Sequence, residues 1–94
     1  MPIEREKIRA ALIQKGFRER IAKHDYYHLY VGGKKSAVFT FLSQGSGYRE
    51  YSNELVGVVA HQMRLTNKEL TQFVECPLTA EKYLELLRQR GHLR

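Results

Sequence analysis

From Ile3 to Lys15 the apolar residues Ile8, Ala11, Leu12 and Ile13 recur at helical spacing among good helix formers, and Gly16 stands where a helix stop belongs. The pattern predicts a first helix there. The period then changes. Phe17 to Lys23 alternates weakly, and Tyr27, Leu29 and Val31 alternate with Tyr26, His28 and Tyr30 in an aromatic and β-branched run, which predicts two strands. Gly32-Gly33 supplies the positive φ angles of a tight turn, so Ala37 to Leu42 is expected to return as a third strand.

After a small-residue loop over Ser43 to Arg49, Ser52 opens a helix with the stripe Leu55, Val56, Val59, Ala60 and Met63. Thr66-Asn67-Lys68-Glu69 has the capping-box pattern, and Leu70, Phe73 and Val74 form the apolar face behind it. Thr79 can cap a last helix through Tyr83, Leu84 and Leu87, with Gly91 as its stop. Sequential strands joined by short turns form a meander, and one face of it must be covered. The expectation is an α+β domain: a three-stranded antiparallel sheet with helices on one face, in the order α-β-β-β-α, followed by two short helices.

That arrangement leaves the second sheet face open. If Tyr27, Leu29 and Val31 point to the helices, alternation sends His24, Tyr26, His28 and Tyr30 to the open face, provided the strand reaches back to His24 without a bulge.

Length and composition fit one domain over residues 1–94 with a modest core. No apolar run approaches a membrane span, and the charged start lacks the central region of a secretory signal, so a cytoplasmic protein is expected. Cys76 is the only cysteine, which excludes an intrachain disulfide; beside Pro77 it reads as a small half-buried residue. The net charge of +6 is carried entirely by residues 1–49, whereas residues 50–94 balance. A one-sided basic field attracts polyanions, so nucleic acid is the expected partner class.

On such a surface a neutral histidine could take the proton of a ribose 2′-hydroxyl, making His24 and His28 the candidate catalytic residues. Arg18, Arg20, Lys23, Lys34 and Lys35 are the candidate phosphate ligands, and Tyr26 and Tyr30 could stack unpaired bases. His61 reads as a solvated residue on the polar side of its helix, and His92 as an inert one near the end of the chain. Gly32-Gly33-Lys34-Lys35-Ser36 resembles the end of a phosphate-binding loop but leads into a strand, so it is a hairpin. The histidines and acids show no metal-ligand spacing, and neither a metal nor a cofactor is expected.

The helix, the Lys15-Gly16-Phe17 punctuation, the three strands, and the stretch from Glu50-Tyr51-Ser52-Asn53-Glu54-Leu55 through Leu65-Thr66-Asn67-Lys68-Glu69-Leu70 together resemble the HicA-type (YcfA-like) toxins. The resemblance covers about residues 5–74, with 75–94 as a C-terminal helical extension. It implies a double-stranded-RNA-binding-like fold, an mRNA interferase activity and a HicB-like antitoxin partner. The family's active histidine lies in a Gly-Ser-His-x-x-aromatic motif, and no Gly-Ser precedes either histidine here. Aligning the motif aromatic with Tyr27 places His24 in the histidine position; aligning it with Tyr30 places Tyr27 there, with His28 one residue off.

Overall fold

The N-terminal stripe closes a helix of ten residues, α1 (Arg5–Gln14), because Ile3–Glu4 before it is drawn into a short strand, β1. The computed structural model describes residues 2–43, 49–75 and 77–93; residues 44–48, where the sequence leads one to expect a small-residue loop, and Cys76 lie outside them. After α1 come β2 (Phe17–Ile21), β3 (Asp25–Val31) and β4 (Lys34–Leu42), then β5 (Glu50–Tyr51), α2 (Asn53–Gln62), α3 (Asn67–Glu75) and α4 (Ala80–Gln89).

Strands β2, β3 and β4 form an antiparallel meander in that order. Gly32 and Gly33 turn it with φ of 59° and 81°, the paired positive angles of a two-residue hairpin. β1 and β5 make a separate two-stranded sheet pairing Ile3 with Tyr51 and Glu4 with Glu50. Two residues per strand leave no periodicity to read, so the sequence pattern carries no sign of this pair.

The helices lie on one face of the meander. Phe17, Tyr27, Leu29, Val38 and Leu42 from the strands share one core with Ile8 and Leu12 of α1, Val56 and Val59 of α2 and Phe73 of α3. Tyr83 and Leu87 of α4 belong to the same core and are fully buried. The Tyr83 ring stacks on Phe17 at 6.0 Å, and its hydroxyl donates to the Met63 carbonyl at 2.8 Å, so burial of this phenol leaves no orphan polar group. Burying a ring of this size stabilises by about 2 to 3 kcal/mol, which makes α4 part of what holds the strands in place.

On α1 the apolar stripe departs from expectation at its end. Ile13 is 43% exposed, whereas Lys15 is buried. The Lys15 ammonium donates to the carbonyls of Phe73 and Leu78, and lies 4.8 Å from the centre of the Phe73 ring. A long side chain that meets carbonyls at its tip can be buried where a branched apolar one is not required.

Candidate nucleic-acid interface

Register decides which side chains meet on the uncovered face. Arg18 pairs with His28, Arg20 with Tyr26, Tyr26 with Phe41, His28 with Phe39 and Tyr30 with Lys35. Directly opposed residues in an antiparallel pair share a face, so these groups form one surface. A bulge places Ser36 to Val38 opposite Leu29 alone, and the shift is even. Lys35 and Phe39 therefore stay on the same side. Lys34 pairs with Val31 and so belongs to the other face of the hairpin.

The rings of this face touch in a continuous layer. Tyr26 and His28 are 6.5 Å apart along β3, His28 and Phe39 are 5.2 Å apart across to β4, and Tyr26 and Phe41 are 5.9 Å apart. Phe39 is 44% exposed, a large cost for an isolated ring and the sign of a surface with its apolar side to the solvent. The Arg18 guanidinium lies 4.1 Å over the Tyr30 ring, which fixes that cation at one end of the layer.

His24 lies in the turn before β3, which begins at Asp25, so the strand does not extend back to it. Its ring nevertheless joins the same surface, 6.2 Å from Tyr26 and 5.1 Å from Phe41. Its Nδ1 is buried with no hydrogen-bond partner among the described residues. Lys23 is exposed in the same turn.

The opposite face consumes the acids. Arg5 pairs with Asp25, and Arg9 holds Glu19 through two hydrogen bonds of 2.7 and 3.1 Å while the Tyr27 hydroxyl donates to the same carboxylate at 2.6 Å. Those contacts hold the Glu19 carboxyl below the usual carboxylate range, the Arg9 bond acting most strongly. By register Glu19 and Asp25 sit opposite Tyr27 and Ile21, on the helix side. Arg18, Arg20, Lys23, Lys34 and Lys35 enter no ion pair among the described residues. Arg18, Arg20 and Lys35 on the open face, and Lys23 in the turn beside it, thus carry positive charge that no ion pair among the described residues offsets.

His28 sits in the middle of this charge. Partial burial and the neighbouring Lys35 and Arg20 push its imidazole below the ordinary histidine value, so it is neutral at pH 7 and can accept a proton. His61 and His92 are exposed, away from the layer. No group of three or more histidines, cysteines and acids among the described residues could hold a metal ion. Among the described residues, no helix is long and apolar enough to cross a membrane.

Phe39 and Phe41 escaped the sequence reading. In Ala37-Val38-Phe39-Thr40-Phe41-Leu42 both faces are largely apolar, so alternation there gives no outward mark; only pairing with the His28 strand does. A recess of about 460 Å³ elsewhere, lined by Ile3, Glu4, Lys7, Glu50 and Glu75 among others, includes none of these groups. The aromatic layer is a surface, and its chemistry is that of a platform. No family model, curated protein or solved structure matches the chain.

Proposed function

We propose that this domain binds RNA on the open face of β2, β3 and β4. The observation that carries the reading is the joining, on one face, of the Tyr26, His28, Phe39 and Phe41 rings with Arg18, Arg20 and Lys35, while the nearby acids are tied up behind it. Aromatic faces stack bases of any identity and cations follow the phosphates, a pairing that neither a small apolar ligand nor an acidic protein would need. The α-β-β-β-α order with helices on one face supports the double-stranded-RNA-binding-like class and the resemblance to HicA-type toxins. A HicB-like antitoxin belongs to the same proposal and is tested by copurification with the tagged domain.

Titration with RNA at several salt concentrations tests the reading. Binding that weakens steeply as salt rises is the expected result. Absence of binding at low salt, or binding indifferent to salt, contradicts it.

Cleavage at this surface is a second reading, favoured by the neutral imidazole of His28. That ring would take the 2′-hydroxyl proton as the 2′-oxygen bonds to phosphorus. The bond to the 5′-oxygen then breaks, and that oxygen takes a proton from solvent. Arg18, opposite His28, is placed to stabilise charge on the phosphate. Incubation of RNA with the wild type, His28→Ala and His24→Ala in the presence of a chelator decides it. Loss of cleavage with His28→Ala supports this reading, and intact RNA with the wild type ends it.

A further inference from the structure

The rings and most of the cations of the open face lie on different strands. β4 contributes Phe39 and Phe41 on one side, with Lys35 beyond the bulge at the hairpin end, β2 contributes Arg18 and Arg20 on the other, and β3 between them carries Tyr26, His28 and Tyr30. Two strand spacings, about 9 to 10 Å, separate the phenylalanine row from the arginine row. One nucleotide covers that span from phosphate to base edge. From the turn before β3 into the strand, the rings of His24, Tyr26 and His28 follow one another at 6.2 and 6.5 Å, a row of positions and not a single pocket. By register no carboxylate of β2, β3 or β4 shares the face, so no acid of these strands lies beneath a phosphate chain laid along it.

We infer that the face takes single-stranded RNA, about two or three nucleotides lying along β3, with bases toward Phe39 and Phe41 and phosphates toward Arg18 and Arg20. The inference rests on the RNA reading and narrows it. A duplex keeps its base faces stacked inside, so it can meet the cations of this surface but not its rings. Arg18 is held over Tyr30 before any ligand arrives, which fixes one phosphate position at the end of the row.

Fluorescence anisotropy with labelled oligouridylates of increasing length, and with a duplex RNA of matched length and salt, tests this. Affinity is expected to climb steeply over the first few nucleotides and then flatten, with the single strand bound more tightly than the duplex. Phe39→Ala and Tyr26→Ala should each weaken single-strand binding roughly 5- to 150-fold and leave duplex binding unchanged. Phe39 is 44% exposed, so its removal leaves the core intact, and circular dichroism checks this. Equal affinity for both forms, with Phe39→Ala silent, overturns the single-strand inference while salt-dependent binding keeps the RNA reading standing. No binding of either form overturns both.

Discussion

His28 and Phe39 face each other across β3 and β4 with ring centres 5.2 Å apart and planes inclined by 22°. The pair joins a titratable group to an exposed apolar ring at the centre of a surface whose rim is cationic. Phe39 shields one side of the imidazole, and Lys35 and Arg20 disfavour its protonation. Stacking, charge and proton exchange thus meet at one place in the fold.

The cations of the rim should report individually on phosphate contact. Arg18→Gln and Lys35→Gln are each expected to lower the slope of log affinity against log salt by about 1, with similar effect on all RNA sequences. Lys34→Gln, on the other face of the hairpin, should change it less. Salt titrations of the three variants check the difference.

The pH dependence of His28 follows from the direction of its shift. Its folded pKa lies below the ordinary 6.5, so protonation costs more in the folded state than in the unfolded one. Stability contributed by the neutral ring is intact above pH 6.5 and declines as pH falls from there through the folded value. Bound phosphates offset Lys35 and Arg20, so RNA should raise this pKa and bind more tightly as pH drops. Histidine ring NMR titration with and without RNA measures both effects.

Lys15 is a structural cation. Lys15→Met keeps most of the stem but leaves the Phe73 and Leu78 carbonyls without their donor, at a cost of about 2 to 4 kcal/mol. Thermal unfolding should show a clear loss, and RNA affinity of the folded fraction should be unchanged.

Glu69 joins two devices. Its backbone amide and that of Thr66 exchange hydrogen bonds with the two side chains at 3.1 and 2.9 Å, and Arg90 grips the same carboxylate at 2.6 and 2.9 Å. Arg90 first, and the cap after it, lower the Glu69 pKa from 4.5 to about 2. The stabilisation is complete above pH 4.5 and is lost as pH falls from there toward 2, amounting to about 1 kcal/mol once solvent screening of this partly exposed pair is allowed for. Acid titration of Glu69→Gln should lack that component.

Much of this was legible where local chemistry and tertiary structure agree. The Thr66 to Glu69 box, the Gly32-Gly33 turn and the outward row Tyr26, His28 and Tyr30 each follow from spacing alone, whereas His24 reaches that face from the turn before β3 and not by strand alternation. Three features did not. β1 and β5 exist only because folding brings Ile3 to Tyr51. Lys15 is buried because two carbonyls await it from residues 58 and 63 positions away. Phe39 and Phe41 lie in a run apolar on both faces, so half of the aromatic layer becomes visible only once β4 is registered against β3.

Whether unpaired bases lie on this aromatic face can be read from NMR mapping of its rings. On adding a short oligouridylate, the ring signals of Tyr26, His28, Phe39 and Phe41 should shift together and show contacts to base protons. Shifts confined to the helices, with those four rings unmoved, would mean that RNA does not lie on this face.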